Sequence, residues 1–233
     1  MIKIPEINLH LGDCMDLMRG KPNGYYDLAV VDPPYGIGAS DYKRGGTQHG
    51  KSASKSKVYS VKQWDKETPQ QSFFDELLRV SKNVIIWGGN YFHLPPTSCW
   101  VIWDKDNGDN GYADFEMAWT SFSTAGRFAK ITWHCMRQHD MKNKETRIHP
   151  TQKPVALYKW LLTNYAKPGD RILDTHGGSG SSMIACYDLG FDMDWIELDP
   201  DYFKSAKERF ERHKAQGQLF HIAETLPEQQ KLF

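Results

Sequence analysis

The chain has 233 residues, 39% of them apolar, and a mean hydropathy of −0.63. That composition supports one core, and no run of about eighteen apolar residues is present to cross a bilayer. Twenty-nine basic residues balance twenty-nine acidic ones, so net charge does not announce a nucleic-acid binder. The opening "MIKIPEINLH" lacks the charged-then-apolar layout of an export signal. Cys14, Cys99, Cys135 and Cys186 form no C-x-x-C pair. They read as reduced thiols in a cytoplasmic protein.

Taken in chain order, "INLHL" is an apolar run that leads into Gly12-Asp13. "YDLAVVD" reads as a buried strand closed by Asp32, and Pro33, Pro34 and Tyr35 follow it directly. Residues 41–62 hold Lys43, Arg44, Lys51, Lys55, Lys57 and Lys62 against Asp41 alone. The part from 43 to 57 has almost no apolar residues and is expected to be mobile until something binds it. In "TPQQSFFDELLRVS" the apolar residues recur at helical spacing. "NVIIWGG", "CWVIWD" and "DFEMAWTSF" read as strands. A second basic stretch, 130–153, includes Arg137, Lys142, Lys144 and Lys153. "PVALYKWLLTNYA" is a helix with Pro154 in its first turn, where a missing donor costs little. "DRILDT" is a strand, "SGSSMIACYDLG" a helix ending at Gly190, "DMDWIELD" a strand and "DYFKSAKERFERHKAQ" a closing amphipathic helix. This alternation predicts an α/β fold whose mostly parallel sheet is covered by helices on both faces.

The stretch "ILDTHGGSGSS" joins a strand to a helix through Gly177, Gly178 and Gly180. It lacks the Lys-Ser/Thr of a triphosphate loop and the G-x-G-x-x-G spacing of a dinucleotide site. Glu197 closes the next strand about twenty residues on, where an acid in a doubly wound sheet accepts from ribose hydroxyls. The pair suggests a nucleoside-bearing ligand with no required pyrophosphate. By itself, such a turn is as often only a tight turn.

Together, Gly12-Asp13, "DPPYG" at 32–36, "HPTQKP" at 149–154, "DTHGGSG" at 174–180 and "ELD" at 197–199 resemble the amino-group DNA methyltransferases that use S-adenosyl-L-methionine. The catalytic motif precedes the cofactor motif, which is the order of the β class, a circular permutation of the Rossmann-like methyltransferase fold. The wording of "DFEMAWTSF" and "RIHPTQKPVALYKWLL" is similar to adenine methylases of phages and prophages. Within that family a restriction-modification context is common.

The resemblance covers roughly residues 5–215. It implies one methyltransferase domain over 1–215, with a mobile basic loop at 40–62, a target-recognition region at about 104–147 and a tail at 216–233. It also implies that Asp174, His176, Gly178, Ser179 and Gly180 shape the cofactor site. Glu197 and Asp199 would serve the ribose side, Asp13 the cofactor adenine and Lys153 the cofactor carboxylate. Many members carry Pro-Phe where Thr175-His176 stand here.

The chemistry explains the catalytic motif. An exocyclic amine is a poor nucleophile because its lone pair is delocalised into the ring. Acceptors that hold its hydrogens let the nitrogen become tetrahedral. Asp32 and the carbonyl of Pro33 supply two acceptors, the prolines fix their aim, and Tyr35 would stack on the base. The base must leave the duplex to be reached. No covalent intermediate is expected, since none of the cysteines follows a proline. No metal is expected either, since His134, Cys135 and His139 match no standard zinc spacing. Asp at the first motif position favours adenine; cytosine, modified by the same chemistry, stays open.

Duplex DNA is the expected partner, clamped by Lys43, Arg44, Lys51, Lys55, Lys57, Arg137, Lys142 and Lys144. Asn107, Asn110, Arg127, Arg137, Gln138 and Asn143 are candidate base readers. Trp119, Phe122, Phe128 and Trp133 are read as core. The tail repeats Gln-x-x-Leu-Phe at 216–220 and 229–233, and Gln229–Phe233 resembles peptides that dock on the bacterial sliding clamp. A monomer or homodimer is expected. Two other readings stand beside this one. Amine methyltransferases acting on RNA or protein usually place the Pro-Pro-Tyr motif after the glycine motif, and an inactive DNA-binding module would not need Asp32, Gly178 or Glu197.

Overall fold

The computed structural model describes residues 4–39, 62, 64–108, 113–134 and 137–225, with side chains through residue 216. In chain order the elements are β1 (Ile7–Leu11), α1 (Cys14–Arg19), β2 (Tyr26–Val31), α2 (Gln71–Val80), β3 (Ser81–Trp87), a 3-10 turn (Gly89–Tyr91), β4 (Val101–Asp104), β5 (Phe115–Thr120), β6 (Arg127–Lys130), β7 (Trp133–His134) and β8 (Arg137–Gln138). Then come α3 (Val155–Tyr165), β9 (Arg171–Asp174), α4 (Ser181–Leu189), β10 (Asp192–Glu197) and α5 (Pro200–Thr225).

Eight strands form one sheet in the order β1-β10-β9-β2-β3-β5-β4-β6. The first five run parallel to their neighbours, β5 is antiparallel to both β3 and β4, and β6 is parallel to β4. The mostly parallel sheet is thus the expected one. Its central strands are apolar throughout because both faces are covered. Leu28 and Val30 of β2 point to one side with Ile85 and Trp87 of β3, against Leu157, Leu161, Met183, Ala206 and Phe210 of α3, α4 and α5. Ala29, Val31, Val84 and Ile86 point to the other, against Met18 of α1 and Phe73, Phe74, Leu77 and Val80 of α2. The two-residue side-chain period of a strand sorts each apolar run into two cores.

The chain crosses from β9 through α4 to β10 on one side, and from β2 through α2 to β3 on the other. The strand order therefore reverses between β9 and β2, whose registers pair Leu28 with Ile172 and Ala29 with Leu173. Ligands of open α/β sheets bind outside the carboxyl ends of the strands at such a reversal. Asp32 and Asp174 are the residues that close these two strands.

The segment expected to be a target-recognition region is largely built into the body. β5 hydrogen-bonds to β3, β6 to β4, and only the hairpin of β7 and β8 forms a separate two-stranded sheet. Trp119 and Trp133 are buried as expected, and Phe122 packs on the core edge. Phe128 departs from the expectation: it is 60% exposed, on β6, the edge strand of the sheet. Helix α5 continues past Gln216 to Thr225. Lys43, Arg44, Lys51, Lys55, Lys57, Asn110, Cys135 and Gln229–Phe233 lie outside the described residues. Among the described residues, no helix is long and apolar enough to cross a membrane.

Candidate active site

Asp32 leaves β2 at the carboxyl end of the sheet, and the chain turns at once through Pro33 and Pro34. The turn is held from below by Asp65, which is 1% exposed. One oxygen of Asp65 accepts from the backbone N–H of Tyr35 at 2.7 Å and of Gly36 at 2.9 Å, and the other accepts from Ala39 at 2.7 Å. Prolines cannot donate, so the first amides available after them are spent on one buried carboxylate.

The Asp32 carboxylate is itself engaged. Its Oδ1 accepts from the Tyr35 hydroxyl at 2.6 Å, and its Oδ2 lies 2.6 Å from the Lys153 ammonium. Lys153 also reaches Glu116 at 3.1 Å and the Tyr35 hydroxyl at 3.2 Å, and Glu116 pairs with Lys105 at 2.5 Å. Two carboxylates and two ammoniums thus alternate. Burial pushes the Asp32 carboxyl up, with Lys153 pulling against it. Burial also opposes ionisation of Glu116, but Lys153 and Lys105 overcome it and hold that carboxyl down at about 2. Lys153 is pulled down by burial and raised more strongly by Asp32 and Glu116. Lys153 thus stands between the carboxylates of Asp32 and Glu116, and Glu116 between the ammoniums of Lys153 and Lys105.

A cavity of about 440 Å³ opens above this cluster, large enough for a nucleobase. Asp32, Pro33, Pro34, Tyr35, Glu116 and Lys153 line it, together with Trp64, Tyr91 and Phe115.

The glycine turn follows β9 on the neighbouring strand. Gly178 (φ +52°) and Gly180 (φ +73°) take the left-handed conformation that lets the chain double back into α4. At Gly177 the constraint is space: a Cβ there would fall 1.9 Å from the Trp195 ring. A Cβ on Gly178 would meet nothing nearer than the His149 ring at 3.9 Å, so the surface above the turn is open to a ligand. Asp174 accepts from Ser182 at 2.5 Å and from the amide of His176 at 3.0 Å, and burial lifts its carboxyl to about 7. The two oxygens of Glu197 accept from the amides of Gly178 at 2.7 Å and Asp199 at 2.8 Å, which ties the turn to the end of β10. Each oxygen keeps a lone pair for a further donor.

The remaining predicted cofactor residues fall into distinct places. The Asp13 carboxylate caps α1 by accepting from Met15 at 2.8 Å. Asp199 caps α5 and pairs with Lys62 at 2.7 Å. The Ser179 hydroxyl meets that of Ser181 at 3.1 Å, and its carbonyl accepts from Arg209 at 2.7 Å. The His176 ring is held by Thr175 at 2.9 Å and meets Phe73 edge-on; burial lowers its pKa to about 4. Lys153 stands with the catalytic motif, on Asp32. The motif that contains it divides the two halves: His149 faces the glycine turn, while Thr151 and Lys153 line the cavity.

Arg137 is exposed on β8, and Lys142 and Lys144 are exposed on the loop that follows. Of the candidate base readers, Gln138 is committed to the backbone of Glu145 through both ends of its amide, Asn143 bonds Asp140, and the Asn107 amide donates to Ala113. Asp65, Lys105, Glu116 and Tyr91 were not among the predicted site residues. Only Glu116 left a trace in the sequence, as an acid in the otherwise apolar core of "DFEMAW".

A family model described as "DNA methylase" matches residues 102–208. Over that stretch the chain is similar to the DNA methylases. The putative methylase YubD of Escherichia coli (strain K12) is 26% identical over 208 residues, 85% of this chain and 87% of that protein. Type II methyltransferase M.HpaI of Haemophilus parainfluenzae is 38% identical over 69 residues, 30% of this chain but 22% of that methyltransferase's length. The fold is similar to that of the M1.HpyAVI-SAM complex (TM-score 0.53, 18% identity, 87% of this chain and 99% of that one). It is also similar to that of the PvuII DNA methyltransferase, a cytosine-N4-specific enzyme (TM-score 0.56, 13% identity, 88% of this chain and 86% of that one).

Proposed function

We propose that this methyltransferase moves a methyl group from S-adenosyl-L-methionine to the exocyclic amine of an adenine flipped out of duplex DNA. The observation that carries the reading is the adjacency of two loops. Asp32 faces a base-sized cavity at the end of β2, and the open glycine turn stands at the end of the neighbouring β9.

The residues present fit the cofactor. Nothing among the described residues comes nearer than 3.9 Å to where a Gly178 Cβ would stand, Glu197 keeps acceptor capacity for hydroxyl groups, and the Asp174 carboxyl is buried beneath the turn. When bound, S-adenosyl-L-methionine supplies an electrophilic methyl on a sulfonium. Asp32 accepts one amine hydrogen of the target and the Pro33 carbonyl a second, which turns the nitrogen lone pair out of the ring. The Tyr35 hydroxyl holds the Asp32 carboxylate in place. Positive charge then grows on the amine nitrogen. Lys153 alone beside it would oppose that charge, and Glu116 offsets the opposition. The proton leaves to Asp32 or to water.

The test is transfer of labelled methyl to duplex DNA by wild-type protein and by Asp32→Ala, followed by nucleoside analysis of the product. N6-methyladenine made by the wild type alone is the expected result. N4-methylcytosine would correct the base, and label on RNA or protein only would overturn the reading.

A further inference from the structure

The glycine turn is held by a residue that lies outside its own motif. The turn closes where the Gly180 amide donates to the Gly177 carbonyl at 2.9 Å. In a trans peptide the carbonyl of the same unit, that of Ser179, points the opposite way. Arg209 of α5 donates to it at 2.7 Å, and the same nitrogen reaches the Ser181 hydroxyl at 3.0 Å. Both ends of the Ser179–Gly180 peptide are therefore fixed, one by the turn and one by α5. Ala206, one helical turn earlier on α5, packs so closely that a Cβ on Gly180 would stand 3.3 Å from its own.

The other terminal nitrogen of Arg209 donates to Glu145 at 2.6 Å. Glu145 follows β8, and its backbone amide and carbonyl are both bound by the side chain of Gln138. Its second oxygen accepts from the Val155 amide at 2.9 Å and so caps α3, whose N-terminal Pro154 supplies no side-chain cap. Lys153, which stands on Asp32, is two residues before Val155. One guanidinium thus spans both halves of the site. It grips the glycine turn with one nitrogen and, through one carboxylate, the segment that carries Lys153 with another. Arg209 is 8% exposed. A buried ion pair adds little stability over an apolar pair of similar volume. What a planar fork adds is aim, two donors at a fixed angle.

We infer that Arg209 is a positioning residue for the methyl donor: its fork holds the glycine turn in the shape that seats the cofactor and registers that turn, through Glu145, against the segment that carries Lys153. This rests on the reading of the glycine turn as the cofactor's seat.

The experiment measures binding of S-adenosyl-L-methionine by calorimetry beside the urea midpoint, so that affinity and stability are read separately. Arg209→Lys keeps the charge and loses the fork. It is expected to bind the cofactor about 10- to 100-fold more weakly, and in turnover to raise KM for the cofactor more than it lowers kcat. Arg209→Met combined with Glu145→Gln removes both charges together, which is near neutral for folding, while the glutamine keeps an acceptor for Val155. This double variant should recover the wild-type urea midpoint and still bind the cofactor as weakly as Arg209→Lys. Affinity that returns with the midpoint overturns the inference, because the ion pair then acts on stability alone. Wild-type affinity in Arg209→Lys overturns it too. If the double variant does not fold, Arg209→Lys decides: weak binding at a wild-type midpoint supports the role, and loss of both in proportion overturns it. Wild-type protein that binds the cofactor but methylates no DNA overturns the proposed function and leaves the role of Arg209 standing. Wild-type protein that binds no cofactor overturns both.

Discussion

The Lys153 ammonium lies 2.6 Å from the Asp32 carboxylate across 121 residues of sequence, and a second carboxylate, Glu116, shares it at 3.1 Å. Asp32 is therefore one corner of a cluster of two carboxylates and two ammoniums. Removing one partner of a buried ion pair costs about 3–5 kcal/mol, because the other charge stays behind. Lys153→Met strands two carboxylates at once. It is expected to lose stability of that order in a urea titration and to lose methyl transfer.

Asp32→Ala should separate chemistry from cofactor binding. Methyl transfer is expected to fall about 10²- to 10⁴-fold, the range for removing an aimed polar group from a reaction centre. Binding of S-adenosyl-L-methionine, measured by calorimetry, should stay within about threefold (one threefold step is roughly 0.7 kcal/mol). Glu116→Gln should reduce kcat with little change in KM for DNA, since it leaves an unbalanced positive charge where positive charge must grow.

Asp65 accepts three backbone amides of the catalytic turn and touches none of the reacting groups. A hydrogen bond to a charged group is worth roughly 1.5–3 kcal/mol, and a buried amide left without an acceptor costs in addition. Asp65→Ala should lower stability by about 3 kcal/mol or more and depress activity with it. Asp65→Asn, which keeps one acceptor oxygen, should fall between. An Asp65→Ala protein with wild-type stability and turnover would refute this account of the turn.

His149 and His176 both have their pKa lowered to about 4 by burial. Between the unfolded value near 6.5 and that folded value, the unfolded chain binds more protons than the folded one. Their contribution to stability is therefore complete above about pH 6.5 and is lost as the pH falls toward about 4, at most roughly 3 kcal/mol for each. His176→Phe places there the residue many family members carry, against Phe73. Urea midpoints at pH 7.5 and 5.0 should differ less for this variant than for wild type.

At Gly177 an added methyl has nowhere to go, since Trp195 is fully buried and cannot yield. Gly177→Ala should cost well over 1 kcal/mol and weaken cofactor binding. The matching change at Gly178 makes only ordinary contact, with the His149 ring at 3.9 Å, and meets a strained φ. It should fold, and lose affinity for the cofactor more than it loses stability.

The two halves of the site were readable as sequence because each is a contiguous motif at the end of an apolar run. Asp32 and Asp174 end strands whose burial on both faces makes them unmistakable. What remained hidden reaches the site through pairing that the sequence does not spell out. Glu116 arrives because β5 turns antiparallel between β3 and β4, and its alternating pattern fits an edge hairpin equally well. Asp65 lies in a stretch with no period at all, 30 residues from the Tyr35 amide it holds. Lys153 was expected beside the cofactor carboxylate, and only the geometry puts its ammonium on Asp32 and Glu116. The opening turn of α1 could have been found from Asp13, a preferred cap directly before "CMDLMR".

The strand order has a consequence for how the protein is made. β1 and β2 precede β9 and β10 in the chain by more than a hundred residues, yet β9 and β10 lie between them in the sheet. Until those two strands slot into the gap, the catalytic turn has no neighbouring glycine turn and the two early strands have bare flanks. Such late, distant pairing is slow to form. On the proposed function it also keeps the nascent chain chemically silent: Asp-Pro-Pro-Tyr is made long before the glycine turn proposed to grip the methyl donor beside it.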